Sequence, residues 1–404
     1  MTGMEGSGAT LTARSGRRCR AAWVIPMLWA FAAGAVSAAD SQAAETKGFT
    51  RAEATSIIRE ARKIVSPNGV EELLEIPIGG TKQWISVRGR DRGNPVLLMI
   101  HGGPASPEMP SSWFFENGWE DYFTVVQWDQ RGSGKSYNSN DPEIIRPTLT
   151  AERMVDDAGE VVQFLRKRYG KDKIFVLGHS WGSLVGISLA HAHPEWLHAY
   201  IGSGQIINEQ EGERVSYADT LRAAEAAGNP VAIQELKAIA PYPEADGSLP
   251  IEKIGTERKW SIIFGGLTYG RSTYDYYENL FKLSPEYTEQ DVAAIDKGSA
   301  LSLGPLLPVL AGFNYSKFTR FKCPILLFEG RHDDTTPSVV AARWLERVRA
   351  PGKKFVWFEN SSHMVMVEEP GRFLVHLVQD ALPYAEQRHG TSGHHKSLTN
   401  LKAS

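Results

Sequence analysis

A serine in a Gly-x-Ser-x-Gly pattern is the clearest chemical feature of the sequence. Ser180 lies between Gly178 and Gly182, directly after the apolar run 174–177 and before the helix-forming stretch 183–191. A sharp turn from strand to helix exposes such a serine, and it leaves room for the backbone only where the flanking residues lack a Cβ. The amide groups at the start of the helix then point at negative charge that develops on a substrate. We therefore predict Ser180 as the nucleophile of an acyl-transfer reaction.

A serine at such a turn needs a base and an orienting acid, and these follow it along the chain with the acid before the histidine. The apolar run 324–328 ends in a loop that contains Asp333 and Asp334, and the run 354–358 is followed by His363. Each candidate comes directly after a separate predicted strand, so we expect the loops to meet at one end of a parallel sheet. His363 is the predicted base, and the spacing leaves the acid open between the two aspartates.

A Gly-Gly pair supplies the remaining part of the predicted site. Residues 101–104 read His-Gly-Gly-Pro and follow the apolar run 95–100. Two glycines let the backbone approach a substrate closely, so the amide of Gly103 is predicted to form an oxyanion hole with the amide of Trp181. Each such donor contributes about 3–4 kcal/mol of transition-state stabilisation. His101 is interpreted as a residue that holds the loop.

Apolar runs of strand length alternate with helical patterns along most of the chain. The predicted hairpin and buried strands are 71–78 with 83–88, 95–100, 122–128, 174–177, 199–201, 324–328 and 354–358. This alternation predicts an α/β fold with a mostly parallel sheet and helices on both faces. Apolar residues at helical spacing also predict an amphipathic helix over 51–65 that covers part of the core.

The pattern changes between residues 204 and 313, where the chain is rich in aromatic residues and helical spacing and has no buried-strand run. We predict that this segment is a helical cap inserted between two strands, over the active-site end of the sheet. The hydrolase core would then comprise residues 40–203 and 314–385. Most of the cap aromatics are expected to form the cap's own core, and some are expected to line the substrate pocket.

The two ends of the chain differ in composition from its body. Arginines between residues 14 and 20, the apolar run 21–36 and three small residues at 37–39 are typical of a secretory signal peptide. The run is shorter than the roughly 20 residues that a membrane-spanning helix needs. We therefore expect residues 1–39 to be removed and the protein to be exported, periplasmic or extracellular, without stable membrane insertion. Residues 386–404 are polar and aperiodic, and are predicted to form a solvated tail.

Composition excludes several other classes of protein. The net charge is −3 and no basic patch lies outside the first 20 residues, so no nucleic-acid partner is expected. Removal of the signal would leave Cys323 as the one remaining cysteine, so a hydrophobic core rather than disulfides must stabilise the chain. No motif in the sequence indicates a metal or another cofactor.

Four segments together resemble the proline iminopeptidase (prolyl aminopeptidase) branch of the α/β-hydrolases. They are 101–104 (HGGP), 129–136 (DQRGSGKS), 178–183 (GHSWGS) and 330–333 (GRHD). The resemblance covers about residues 70–205 and 320–385. It implies Ser180 as nucleophile, His363 as base, and the amides of Gly103 and Trp181 as the oxyanion hole. It also implies Asp333 as the acid, because the acid of that family directly follows Gly-Arg-x. The chain departs from the family at Ala105, where a glycine is usual.

The resemblance implies an aminopeptidase that releases N-terminal residues, of the proline type, from small peptides. The cap of that family supplies acidic residues for the free ammonium group, and the candidates in this chain are Glu209, Glu211 and Glu213. A carboxylesterase acting on small esters is the alternative among enzymes, since the same three residues cleave esters more readily than amides. A non-catalytic binding protein of the same fold is the alternative outside enzymes.

Overall fold

The structure is a computed structural model that describes residues 48–386 of the 404-residue chain. The predicted signal peptide and, except for Glu386, the predicted tail lie outside the described residues. Within the described part, no helix is both long and apolar enough to span a membrane.

The centre of the fold is an eight-stranded sheet with the order β1-β2-β4-β3-β5-β6-β7-β8. The strands are β1 (Val70–Ile78), β2 (Thr81–Gly89), β3 (Val96–Ile100), β4 (Thr124–Asp129), β5 (Ile174–His179), β6 (Leu197–Ser203), β7 (Ile325–Gly330) and β8 (Lys353–Phe358). Strands β3 to β8 are parallel to one another, whereas β2 is antiparallel to both β1 and β4. The sheet is therefore mostly parallel, as predicted, with the predicted hairpin at one edge.

Helices cover both faces of this sheet. Before β6 they are α1 (Arg51–Ala61), α2 (Ser112–Phe115), α3 (Gly134–Asn138), α4 (Pro142–Ile145), α5 (Ala151–Tyr169) and α6 (Trp181–Ala192). Successive strand residues point to opposite faces. Leu98 and Val176 accordingly pack in one hydrophobic cluster, whereas Leu97 and Leu177 pack in the other. Every residue of β3, β4, β5 and β7 is buried, which explains why the sequence shows continuous apolar runs there.

Five helices lie between β6 and β7, and no described strand lies among them. They are α7 (Glu209–Ala226), α8 (Pro230–Ala238), α9 (Ile251–Ile263), α10 (Asp275–Phe281) and α11 (Glu289–Gly312). Ala224, Leu236 and Trp260 form a small hydrophobic cluster of their own. Tyr277 and Phe281 instead join the cluster on one face of the sheet. This segment therefore has its own core and also packs on the sheet.

In the described part of the chain, four helices follow β7. They are α12 (Ser338–Arg347), α13 (Val365–Glu368), α14 (Pro370–His376) and α15 (Pro383–Glu386). A π-helical turn at Leu377–Ala381 follows α14 directly.

The prediction that residues 51–65 cover the core is wrong. Helix α1 ends at Ala61, and Ile57 on the predicted apolar stripe is 57% exposed. Polar contacts hold the helix instead: Arg51 donates to the main-chain oxygen of Tyr287 at 2.7 Å. The amphipathic spacing therefore predicted the helix correctly, but it did not predict which residues the helix contacts.

Candidate active site

Ser180 sits at a strained turn between β5 and α6. Its backbone has φ 53° and ψ −123°, in the left-handed half of the map that non-glycine residues rarely adopt. A Cβ on Gly182 would stand 1.9 Å from the main-chain oxygen of Ile100, and one on Gly178 would stand 2.5 Å from that of Gly182. Only glycine fits at these two positions. The close packing of the turn therefore explains why the motif has a glycine two residues before and two residues after the serine.

The predicted acid and base contact each other in the loops after β7 and β8. Oδ2 of Asp333 lies 2.9 Å from Nδ1 of His363. Oδ1 of the same carboxylate accepts hydrogen bonds from the amides of Thr335 and Thr336, at 2.9 and 2.8 Å. A carboxylate held in this way accepts from Nδ1–H of the imidazole, which leaves Nε2 as the basic nitrogen.

Asp334, the other candidate acid, forms no hydrogen bond with His363 in the described part of the chain. Its amide donates to the main-chain oxygen of Gly266 at 3.1 Å, whereas the imidazole bonds to Asp333. Burial, followed by the charges of Asp333 and Glu257, raises the pKa of its carboxyl to about 7. Of the two aspartates, Asp333 is the one that bonds to the histidine.

A cavity of about 510 Å³ brings the predicted residues together. Ser180, His363, Gly102 and Gly103 line one wall. A Cβ on Gly102 would stand 3.1 Å from Cβ of Ser180, so the glycine loop lies directly against the serine. Helices α10 and α11 also line the cavity, through Tyr277, Phe281, Val292 and Ile295, together with Tyr274 directly before α10. The cap aromatics therefore have both of the expected roles, in the cap core and at the cavity.

The two predicted oxyanion amides lie at the start of α6 and in the loop after β3. Trp181 is the first residue of α6, and Gly103 lines the cavity. Among residues 48–386, neither amide donates to another protein group. Ala105, where the related family has glycine, adopts φ 60° and is 2% exposed. The loop thus keeps a left-handed backbone there in spite of the Cβ.

His101 holds this loop, as the sequence suggested. Its Nδ1 lies 2.8 Å from the main-chain oxygen of Gly102, and its Nε2 lies 3.0 Å from Oγ of Ser133. Complete burial lowers its pKa to about 4, so the ring is neutral at physiological pH. Gln130 joins the loop to the helix, because its side chain donates to the main-chain oxygen of His101 and accepts from Nε1 of Trp181. These contacts explain why the Asp-Gln-Arg-Gly motif accompanies the site.

The three predicted cap acids do not line the main cavity. Glu211 forms a 2.8 Å ion pair with Arg343, at the surface. Glu213 is buried and bonds to Arg258 and Tyr242. Glu209 is 7% exposed, and burial followed by the charge of Glu213 raises its pKa well above the usual value.

Glu209 and Glu213 lie instead beside the loop after β7 that contains Asp333. They line a separate cavity of about 10 Å³ together with Thr335 and Thr336. Thr335 also lines the main cavity, so it belongs to the wall between the two spaces.

Three other carboxylates line the main cavity, and none belongs to a motif that identifies it in the sequence. They are Glu108 after the glycine loop, Glu278 on α10 and Asp296 on α11. Burial raises the pKa of Glu278, and the neighbouring charges of Asp275 and Asp296 add to this effect. Both cap acids are exposed at the cavity, whereas Glu108 is 3% exposed.

The cap also fixes the base loop. The amide of His363 donates to the main-chain oxygen of Leu267 at 3.1 Å, and Oγ of Ser362 donates to that of Gly265 at 2.6 Å. Both acceptors lie between α9 and α10. The loop that carries the histidine is therefore held between the sheet and the inserted helices.

The residues that the structure describes contain no group of three or more His, Cys, Asp or Glu side chains arranged to hold a metal ion.

Comparison with known proteins places the chain in a family. Residues 97–376 match the alpha/beta hydrolase family. The probable aminopeptidase YbaC of Bacillus subtilis (strain 168) is 30% identical over 306 residues, which cover 74% of this chain and 92% of the relative. The proline iminopeptidase of Clostridioides difficile (strain 630) is 24% identical over 315 residues, which cover 75% of this chain and 96% of the relative.

Solved structures show the same fold. The crystal structure of a proline iminopeptidase from Mycobacterium smegmatis has a TM-score of 0.57 at 18% identity, and the match covers 78% of this chain and 100% of that one. A putative lipase from Acinetobacter baumannii AYE has a TM-score of 0.55 at 14% identity, with coverage of 85% and 99%. At such identities the likeness shows the fold alone. On the family match and the two relatives, the chain belongs to the alpha/beta hydrolase family and is a serine hydrolase similar to the proline iminopeptidases.

Proposed function

We propose that the protein is a serine aminopeptidase that releases N-terminal residues, of the proline type, from small peptides. The observation that carries the proposal is the cavity that Ser180 and His363 share, with Asp333 bonded to the far side of the imidazole. The relatives named aminopeptidase and proline iminopeptidase support the choice of substrate class.

In the proposed mechanism, Nε2 of His363 removes the proton of Ser180 while the hydroxyl attacks the scissile carbonyl. The carboxylate of Asp333 stabilises the imidazolium that results. The free amides of Gly103 and Trp181 donate to the developing oxyanion. The imidazolium then protonates the leaving amine, and water hydrolyses the acyl-enzyme by the same steps.

An aminopeptidase must also bind the free ammonium group of its substrate, and in a partly dry pocket that cation needs a carboxylate partner. We assign this group to the predicted acid Glu209, which is buried and lines the small space that shares Thr335 with the main cavity. Glu213 lines the same small space but is already paired with Arg258. Glu211 is the weakest candidate of the three, since it is paired with Arg343 at the surface.

A carboxylesterase is the second candidate, because the apolar side chains Phe281, Val292 and Ile295 also suit the chain of a small ester. A panel of chromogenic aminoacyl amides, set against short-chain esters, separates the two. The aminopeptidase proposal requires turnover of the amides, with proline preferred, and Ser180→Ala must abolish it. Turnover of esters alone would establish the esterase, and turnover of neither class would favour a binding protein.

We also propose that the protein is exported after removal of residues 1–39. The basic, apolar and small-residue order of this segment supports the proposal. Expression of the full chain in a bacterial host, followed by mass spectrometry of the exported fraction, tests it. A mature N-terminus near Asp40 is expected, and an uncleaved protein retained inside the cell would contradict it.

A further inference from the structure

His179, the residue before the nucleophile, connects three parts of the site. Its Nδ1 bonds to a carboxylate oxygen of Glu108, and its Nε2 lies 3.1 Å from the main-chain oxygen of His363. The imidazole rings of His179 and His363 lie 4.8 Å apart, at 40° to each other. His179 and Glu108 are only 2% and 3% exposed, and all three residues line the cavity. His179 and Glu108 therefore support the loop that contains His363.

The partners of His179 define where its protons must be. A main-chain oxygen is an acceptor only, so the contact with His363 requires a proton on Nε2. The contact between Nδ1 and Glu108 requires one further proton, shared by the nitrogen and the carboxylate. The bonded pair thus holds two protons in total, equivalent to an imidazolium beside a carboxylate.

The surroundings favour this protonated form. Burial acts to lower the pKa of His179, but the charge of Glu108 and the two hydrogen bonds outweigh it, and the pKa is raised above the ordinary 6.5. Asp333 acts in the same direction. His101 and His363 also lie near the ring, and His101 is neutral because of its burial. Tyr277 lies near Glu108, and burial raises the pKa of its hydroxyl well above the ordinary value.

Loss of the shared proton would change the contact with the base. The proton that remains on His179 would move to Nδ1, where a carboxylate is a stronger acceptor than a carbonyl. The lone pair of Nε2 would then face the oxygen of His363 across 3.1 Å. An attractive contact becomes a repulsive one, and the backbone that carries the base loses its support.

We propose that Glu108 and His179 are positioning residues that hold His363 in its working place only while they share a proton, so that reaction at Ser180 declines when His179 deprotonates. The proposal depends on the serine and the base but not on the substrate class, so an esterase would behave in the same way.

The test is the rate at which an organophosphonate labels Ser180, measured across neutral and alkaline pH. This probe has no titrating amine, and its reaction needs a neutral His363, so an alkaline decline has no other source in the reaction itself. The wild type should lose about tenfold or more in rate on the alkaline side, which corresponds to one hydrogen bond of this kind. Glu108→Gln should remove the decline, because its amide donates to Nδ1 and keeps the remaining proton on Nε2.

Asp380→Asn is the matched control. It alters a second histidine–carboxylate pair, in which Nδ1 of His376 lies 2.7 Å from Oδ2 of Asp380, and neither residue lines the cavity. This variant should keep the wild-type pH profile. An alkaline decline that persists unchanged in Glu108→Gln, or that disappears in Asp380→Asn, overturns the proposal.

Titration of the wild type by NMR, with ¹³C-labelled histidine, keeps the test decisive if Glu108→Gln does not fold. The His179 signal, assigned by comparison with His179→Gln, should titrate above the ordinary value of 6.5 and with the midpoint of the labelling decline. A His179 signal that stays neutral throughout contradicts the proposal. With an ester substrate, kcat should fall on the alkaline side while KM stays constant, since the pair acts through His363.

Discussion

Arg258 in the cap donates a hydrogen bond to the main-chain oxygen of Thr335, in the loop of the acid, at 3.3 Å. The same guanidinium bonds to the carboxylates of Glu213 and Glu257, which are 3% and 0% exposed. One cation therefore pairs with two buried acids and also bonds to the loop that contains Asp333. The cap is thus bonded to the loop of the predicted acid and is not only a cover.

Arg258→Met should destabilise the protein strongly. Removal of one partner from a buried ion pair leaves uncompensated charges and costs about 3–5 kcal/mol. Arg343→Ala removes the exposed partner of Glu211 and should cost at most about 1 kcal/mol. Urea unfolding of both variants measures the difference, and equal losses of stability would show that the cap cluster is not the compensated network described above.

Covalent labelling at Ser180 is the most direct test of the nucleophile. An organophosphonate should label the wild type at one site per chain, and Ser180→Ala should abolish labelling, because the strained turn places Ser180 at the cavity beside His363. Ser299→Ala is a suitable control, since Ser299 lines the same cavity but donates to the main-chain oxygen of Ala105. Intact-mass spectrometry reads out both variants. Labelling that survives Ser180→Ala would show that the nucleophile is another residue.

The two neighbouring aspartates should behave very differently when each is replaced by asparagine. Asp333→Asn should leave the fold intact and lower kcat by about four orders of magnitude, because the imidazole of His363 loses the carboxylate that fixes its tautomer. Asp334→Asn should be mild, since Asp334 does not contact the histidine and burial already raises its pKa to about 7. Steady-state kinetics on one substrate compare them. The reverse order of effects would move the acid by one residue.

The sequence was enough to propose the reacting residues and to expect that they lie together, because local patterns mark each of them. Ser180, Asp333 and His363 each follow a continuous apolar run, and each run forms a buried strand or most of one. In a parallel sheet the carboxyl ends of the strands lie on the same edge, so the spacing along the chain was enough to expect that the three loops meet.

The other side chains around the site could not be predicted from local patterns, because their positions depend on contacts between distant segments. Glu108 and His179 are separated by 71 residues, and His179 and His363 by 184. Glu278 and Asp296 reach the cavity only because α10 and α11 pack over the sheet. Neither residue carries a local pattern that distinguishes it from an ordinary solvated acid.

No sequence motif marks the acid that binds the substrate ammonium in the proposed function. Substitution of Glu209 tests this assignment most directly. Glu209→Gln should raise KM for a free-amine aminoacyl ester by about tenfold more than for its N-acetylated counterpart, which corresponds to about 1.4 kcal/mol of binding. The reason is that the ammonium needs a carboxylate in a place with little water, and Glu209 is buried beside the acid loop. Steady-state kinetics on the matched pair of esters provide the measurement.

Two other acids serve as controls for this substitution. Glu278→Gln changes an exposed carboxylate at the main cavity, where solvent weakens the attraction, so the selective effect should be much smaller. Glu211→Gln changes an acid that is already paired with Arg343, and it should have no selective effect. A larger effect of Glu278→Gln would place the ammonium at the cavity mouth. Equal KM values of the wild type for the free and N-acetylated esters would instead identify an esterase, and Glu209 would then be a structural acid of the cap.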